Sequence, residues 1–441
     1  MKRQHLTLLG MMLTLLLLVG ACGSDDDESG SAGTTAGETT GESVSGSISV
    51  IGVWTGPEQK SFQAVIDGFT AKNPDAKVKY TSGGDNIVTV LSTAVEGGNP
   101  PDIATVSQPG TMADFVSRKA LKPLDFAQDA VQENFGDSIV TIGSVDNTLY
   151  GLLFKAANKS TVWYNVASFA DAGVEAPDTW DDLLTDAKTL NQSGVPAYSI
   201  GGADGWTLTD LFENIYLRTA GAETYDKLAK HEIPWTDQSV KDALAEMAKI
   251  VGDTDNIAGG KAGALQTDFP TSVANVFSKT PKAAMVIEGD FVPGVAGDNN
   301  PLKPETGFNI FPFPSIDDSP DSVVGGGDLV VMFKSNPVAK AFIEYLTTPE
   351  ASEIWAKRGG FSSPNKKVSK SVYPDPIQET TAGAIGEAEV FRFDLSDLQP
   401  SAFGGTVGQG LFKEFQDFLE NPQDIDGITK QMEASAAKAY G

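Results

Sequence analysis

An indole, a carboxylate and an amide stand at the ends of apolar runs near the start of the chain body. Trp54 closes the run Ile48-Ser49-Val50-Ile51-Gly52-Val53-Trp54, Glu58 opens the helical pattern that follows, and Gln108 lies just past Asp102-Ile103-Ala104-Thr105-Val106. In an open parallel sheet, strand ends are where ligands are held. Aromatic plates beside amides and acids suit a sugar ring, whose C–H face stacks and whose hydroxyls need directional partners. Carboxylates also open a second chemistry. Glu288 and Asp290 are two apart, would share one face of a strand, and with Asp394 could supply the pair that glycoside hydrolysis requires.

The composition narrows the remaining classes. Among 441 residues, 32 Lys and Arg stand against 59 Asp and Glu, a formal charge of -27. A nucleic-acid partner would meet like-charge repulsion. Histidine occurs only at His5 and His231 and cysteine only at Cys22, so zinc clusters, disulfide frameworks and most His-dependent triads lack raw material. No metal site and no cofactor is expected. The length and the 40% hydrophobic content support more than one sizeable core.

The N-terminus reads as an export signal over residues 1–21. Lys2 and Arg3 form the charged start, and Leu6 to Val19 form an apolar run too short for a comfortable membrane span. Its end, Leu18-Val19-Gly20-Ala21-Cys22, resembles the bacterial lipobox, which implies cleavage before Cys22 and acylation of that residue. Residues 22–47 carry Asp25, Asp26, Asp27, Glu28, Glu38 and Glu42 among Gly, Ser and Thr, with Val44 as the one large aliphatic residue. Such a stretch buries too little to offset its ordering entropy and is expected to be a flexible tether. The expected location is the outer face of the cytoplasmic membrane, with the lipid anchor as the only membrane contact.

From Ile48 onward, short apolar runs alternate with helical periodicity. Gly56-Pro57 starts a helix in which Phe62, Val65, Ile66 and Phe69 share a face. Lys77 to Thr81 reads as a strand, Ile87 to Val95 as a helix, and Asp102 to Val106 as a third strand. Further strands are expected at Thr161 to Tyr164, Ala283 to Ile287, Phe308 to Phe313 and Leu329 to Phe333. Thr179 with Asp182 marks a helix start, and helices are expected around Val338 to Leu346 and Leu411 to Leu419. This rhythm argues an α/β fold with a mostly parallel sheet. Gly325-Gly326-Gly327-Asp328 lacks the Lys-Ser/Thr of a phosphate loop and reads as a backbone bend allowing close approach.

Several ordered segments carry a resemblance. They are Gly97-Gly98-Asn99-Pro100-Pro101-Asp102-Ile103 with Gln108-Pro109-Gly110; Leu149-Tyr150-Gly151; Lys159 to Asn165; and Ala176-Pro177-Asp178-Thr179-Trp180-Asp181-Asp182-Leu183. The later ones are Ala283-Ala284-Met285-Val286-Ile287-Glu288-Gly289-Asp290-Phe291, Gly359-Gly360-Phe361-Ser362-Ser363-Pro364-Asn365, and Phe391-Arg392-Phe393-Asp394-Leu395-Ser396-Asp397. In this order the chain from Ile48 resembles the extracellular solute-binding proteins of ABC importers, in the carbohydrate branch related to maltose-binding and alpha-glucoside-binding lipoproteins. That resemblance implies a two-lobed α/β fold of the periplasmic-binding-protein type II, with crossing hinge segments and a ligand cleft that closes by hinge motion. Lobe 1 would comprise 48–157 and 314–347, and lobe 2 would comprise 158–313 and 348–441.

The resemblance also implies site positions. Asn158 falls where the family places a cleft carboxylate, with Lys159 beside it. Phe291, after Glu288 and Asp290, and Phe403, near Arg392 and Asp394, match aromatic stacking positions. Trp206, Asp210 and Trp235 fall in the helical part of lobe 2, where further stacking residues occur. With Trp54, Glu58, Asp85, Gln108, Gly327, Asp328 and Phe361, these form the candidate ligand set. Any of the aromatics could instead fill a core. Arg392 and Asp394 could form a structural ion pair, and Asp85 could merely punctuate the Gly83-Gly84 turn.

The resulting expectation is a monomeric receptor without catalytic residues. It would capture a neutral sugar, an alpha-glucoside or other di- or oligosaccharide, and deliver it to permease subunits served by a separate ATPase. Two alternatives stay open: a surface glycoside hydrolase, and a receptor of the same family for a polyamine or other cation, which the acidic surface would favour.

Overall fold

The structure, a computed structural model, describes residues 44–297 and 300–441. The expected export signal, Cys22 and the tether up to residue 43 lie outside the described residues. The strands in chain order are β1 (Gly46–Gly52), β2 (Ala76–Ser82), β3 (Ile103–Val106), β4 (Ser144–Val145), β5 (Thr148–Leu149), β6 (Gly151–Asn158), β7 (Thr161–Asn165), β8 (Met285–Ile287), β9 (Phe308–Pro312), β10 (Ser322–Met332) and β11 (Val390–Phe393). β1 begins two residues before the expected run, so Gly46 and Ser47, read as tether, already pair with Ala76 and Lys77. It also ends at Gly52, which leaves Trp54 in the loop beyond the strand.

A six-stranded sheet in the order β11-β10-β3-β1-β2, with β6 also paired to β10, forms the first lobe and its crossing. β1 runs parallel to β2 and β3, whereas β10 runs antiparallel to β3 and β6. The period of two sorts its side chains onto two buried faces. Ile103, Leu152, Phe154, Val330 and Met332 enter one core with Phe62 and Phe69, while Ala104, Leu153, Leu329 and Val331 enter the other with Met112 and Phe115. A three-stranded antiparallel sheet, β8-β7-β9, belongs to the second lobe and packs against its helices.

The second lobe is mostly helical. Trp206–Ala229 is its longest helix, kinked at Gly221 where φ is 76°. Thr179 caps Trp180–Gln192 by accepting from the Asp182 N–H, as its spacing predicts. The chain crosses between lobes at Lys159 and Ser160, between β6 and β7, and again along β10, whose first residues pair with β11 and whose last pair with β3.

The helix Pro349–Ala356 departs from the expected boundary after residue 347. Ala351, Trp355 and Ala356 bury in the first core, and the Trp355 ring lies 4.7 Å from that of Trp54. Burial of that indole decides the placement. The Gly325-Gly326-Gly327 run is also not a bend. It lies within β10, where a Cβ at Gly327 would sit 2.3 Å from the Lys155 carbonyl oxygen. The glycine permits the close approach of β6, not a turn.

Candidate ligand-binding cleft

The first wall of the cleft grows from strand ends. Trp54 is 2% exposed and wedged between Phe62 and Trp355, with ring centroids 4.6 and 4.7 Å away. Its indole N–H donates to Asp328 Oδ2 at 2.6 Å, and the Ser107 hydroxyl donates to Asp328 Oδ1 at 2.7 Å. Asp328 sits at a register shift in β10, a bulge of the kind that re-aims side chains. Thr55 to Glu58 begin the next helix, with Pro57 in its first turn. Gln108 precedes the helix Pro109–Ser117, and its Oε1 accepts from the Thr111 hydroxyl.

The opposite wall is aromatic. Trp206 opens the long helix, Phe269 follows the capping Asp268, and Phe291 follows β8. Trp206 and Phe269 meet edge to face at 4.9 Å, and Phe269 and Phe291 at 5.5 Å. The lobes touch on both flanks, since a Cβ at Gly110 would overlap the Gln399 carbonyl and one at Gly297 would lie 2.9 Å from the Pro57 ring.

Two lysines form the floor. Lys155 Nζ lies 2.5 Å from Glu58 Oε1, 4.0 Å from Asp328 and 5.2 Å from the Phe291 ring centroid. Burial opposes its charge, but Glu58 and Asp328 outweigh burial and hold its pKa above the usual value. Lys159 Nζ reaches Asp394 at 2.5 Å, Asp210 at 3.1 Å and Asp397 at 3.7 Å. Burial would raise the Asp394 pKa, yet Lys159 and the Asp397 and Ser396 donors bring it below the usual carboxylate range. Burial raises the Asp210 carboxyl to about 8 despite Lys159. Burial and Asp268 raise Asp85, which the Trp206 side chain partly offsets.

These walls enclose a hollow of about 270 Å³, close to the lower end of the ~300–1,000 Å³ usual for small-molecule clefts. It combines aromatic plates with acceptors, an amide and two neutralised ammonium groups, which can hold a polyhydroxylated molecule by stacking and directional hydrogen bonds. Among the described residues, no group of three or more potential ligands is arranged for a metal ion.

Of the sequence candidates, the structure brings Trp54, Glu58, Asp85, Gln108, Lys159, Trp206, Phe291, Gly327 and Asp328 to this hollow. The others lie elsewhere. Trp235, in the turn before the helix Gln238–Val251, and Phe403, both 0% exposed, pack edge to face at 5.4 Å in the second core, which also holds Phe212 and Phe415. Phe361 stacks on Trp355 in the first core. Asn158 is spent on its own turn, its Oδ1 accepting from the Ser160 N–H. Asp210 and Asp394 lie beneath the floor on Lys159. Arg392 pairs with Asp226 at 2.6 Å and not with Asp394. Glu288 faces a separate small hollow, whereas Asp290 accepts from the Ser362 hydroxyl, so the proposed hydrolytic pair does not meet in the cleft.

Lys155, Ser107, Phe269, Pro270, Ser396, Asp397 and Phe412 also line the hollow and escaped sequence reading. Lys155 carried a signal, being the lone charge in the apolar run Gly151–Asn158. Ser107 ends a strand beside Gln108. The rest reach the cleft through helix packing that has no local signature.

A two-lobed α/β body with its hollow between the lobes defines a solute-binding class. The sequence matches the family described as bacterial extracellular solute-binding protein over residues 54–353, and the chain belongs to that family. The osmoprotective compounds-binding protein GgtB of Synechocystis sp. is 33% identical over 376 residues, covering 82% of this chain and 87% of its own. The alpha-glucosides-binding periplasmic protein AglE of Rhizobium meliloti is 33% identical over 378 residues, covering 83% and 81%. Among solved structures, the bacterial solute receptor AcbH, described as having an exclusive substrate preference for β-D-galactopyranose, matches with a TM-score of 0.79 at 20% identity, covering 90% of this chain and 99% of that one. RafE in complex with raffinose matches with a TM-score of 0.72 at 18% identity, covering 90% and 100%.

Proposed function

We propose that this chain is the substrate-binding component of an ABC importer that traps a neutral sugar between its lobes. The observation that carries the reading is the shared hollow, in which Trp54 and Gln108 of the first lobe face Trp206 and Phe291 of the second. Binding proteins named for alpha-glucosides and for osmoprotective compounds are its relatives, which supports a small polyol or glucoside as cargo. Closure would be stabilised because the ligand touches both lobes at once. The closed form would dock on separate permease subunits, with Cys22 acylated and the body tethered outside the membrane. Among the described residues, no helix is long and apolar enough to cross a membrane.

Isothermal titration against maltose, trehalose, sucrose, raffinose and galactose, with intrinsic Trp fluorescence as a second readout, tests the reading. Saturable binding of one or more is expected, and no response to any would sink it. A cationic cargo would bind more weakly in moderate salt, whereas sugar affinity should be indifferent. Release of reducing ends from a bound sugar would restore the hydrolase alternative. Retention of the Cys22→Ala form in the membrane fraction would remove the anchoring proposal.

A further inference from the structure

We infer that Thr111 and Gly405 are positioning residues that hold the Gln108 amide with its Nε2 hydrogens turned to a sugar oxygen in the hollow. This deepens the sugar reading above and rests on it. Gln108 lines the hollow, whereas Thr111 and Gly405 do not. A primary amide has two edges of opposite character, a carbonyl oxygen that accepts and an amino group that donates. Which edge meets a ligand is therefore decided by what holds the other.

Thr111, 1% exposed, holds the carbonyl edge, its hydroxyl donating to Gln108 Oε1 at 3.1 Å. Nε2 makes no hydrogen bond to the described residues and is not sealed from solvent, so it opens on the hollow that Gln108 lines. Gly405 holds the face of the amide. A Cβ there would stand 2.8 Å from Gln108 Cδ, 3.0 Å from Oε1 and 3.1 Å from Nε2, nearly equal distances that lay the amide plane flat against the Gly405 backbone. The Gly405 φ of -136° is open to any residue, so close approach, not backbone conformation, is what requires glycine. The two supports are fastened together. Asp114 Oδ2 accepts from the Ser401 N–H at 2.9 Å and from the Ser401 hydroxyl, which ties the helix Pro109–Ser117, carrying Thr111, to the helix Ser401–Gly404 that precedes Gly405. Phe403 of that second helix is buried in the second core, so the second lobe supplies the platform for a first-lobe amide.

The test is a double-mutant cycle on the full-length protein, titrated with the five sugars named above. Thr111→Val, which keeps the side-chain shape and removes the hydroxyl, should weaken binding of the recognised sugar about 5-fold, and Thr111→Ser should keep affinity within about 2-fold of the natural protein. Gln108→Ala should weaken binding about 10-fold, and adding Thr111→Val to it should change affinity by less than about 2-fold, because no amide is left to hold. Gly405→Ala displaces only the end of a flexible side chain; it should leave the melting temperature within a few degrees, weaken binding about 5-fold and lose that effect beside Gln108→Ala. Gln108→Glu, which puts an acceptor in place of the amino edge, should bind at least as weakly as Gln108→Ala. Equal losses from Thr111→Val in both backgrounds, no loss in the natural one, or full affinity in Gln108→Glu overturns the assignment while the sugar reading survives. If Thr111→Val does not fold, Thr111→Ala decides through the same cycle. A natural protein that binds none of the sugars overturns both readings.

Discussion

Lys155 and Lys159, four residues apart where the chain leaves the first lobe, are held by carboxylates of opposite lobes. Lys155 pairs with Glu58 at the start of a first-lobe helix, and Lys159 pairs with Asp210 and Asp394 of the second lobe. The crossing segment therefore carries one internal ion pair into each lobe, directly beneath the cleft. Both ammonium groups are buried, so their attraction is little screened by salt.

Loss of Lys159 should destabilise the second lobe, since it leaves the buried Asp394 carboxylate, which Lys159 holds below the usual range, without its cation. Lys159→Met is expected to lower the unfolding free energy by about 3–5 kcal/mol, read from urea denaturation. A change below about 1 kcal/mol would show that the carboxylates are neutral without it.

The titration of these buried acids sets the direction of stability with pH. Asp210 is raised to about 8, and Asp204 and Asp290 to about 6, each chiefly by burial. A carboxyl with a higher pKa when folded binds more protons in the folded state. Its contribution is complete below its unfolded pKa and is lost as pH rises through its folded pKa. The depressed pKa of Asp394 acts below the ordinary Asp range and does not offset this loss. The melting temperature should fall from about pH 5 to about pH 8, and Asp210→Asn should flatten the upper part of that fall. A melting temperature that climbs over the same interval contradicts the assignment.

Trp54 and Phe291 line the same hollow but differ in what else they support. Trp54 is enclosed by Phe62, Phe154 and Trp355, so Trp54→Ala should lose about 3–5 kcal/mol of stability. Phe291 is only partly buried, and Phe291→Ala should leave the melting temperature within a few degrees while weakening sugar binding by about 1–2 kcal/mol. Calorimetry and titration on both variants separate the two effects.

Trp235 and Phe403 should behave as core residues. Phe403→Ala is expected to cost about 3–5 kcal/mol of stability, measured by chemical denaturation. Trp235→Phe should leave ligand affinity unchanged at a temperature where the variant is folded; a selective loss of affinity would return Trp235 to the cleft.

Gly327→Ala should disturb the crossing itself. Its Cβ would meet the Lys155 carbonyl, a backbone atom that cannot swing aside, so β6 and β10 must separate locally. A loss of about 1–3 kcal/mol is expected, with faster amide exchange at residues 153–158. Exchange unchanged in that strand would show that the pair relaxes freely.

Local patterns were legible where one segment settles its own conformation. The Thr179 cap, the helix face Phe62-Val65-Ile66-Phe69 and the first three strands follow from neighbouring residues alone. β6 and β11 escaped because their extended form depends on pairing with β10, distant in sequence. The boundary expected after residue 347 leaves the helix Pro349–Ala356 outside the first lobe, whereas its Trp355 buries in the first core; a helix's own residues do not say which core it packs against.

For the site, strand-end residues such as Trp54 and Gln108 could be read from sequence, since the end of a strand in an open sheet is a position along the chain. Whether a second-lobe aromatic faces the hollow or the core could not: Phe291 and Phe403 both lie in apolar surroundings, and helix packing alone turned one inward to Trp235 and left the other beside Lys155. By itself the amino-acid order determined the α/β rhythm, the excess of acid over base and a body with no cysteine and His231 as its one histidine, because these depend on composition and neighbours. Only the tertiary structure decided which carboxylates neutralise the two crossing lysines, because such partnerships depend on distances between segments far apart in the chain.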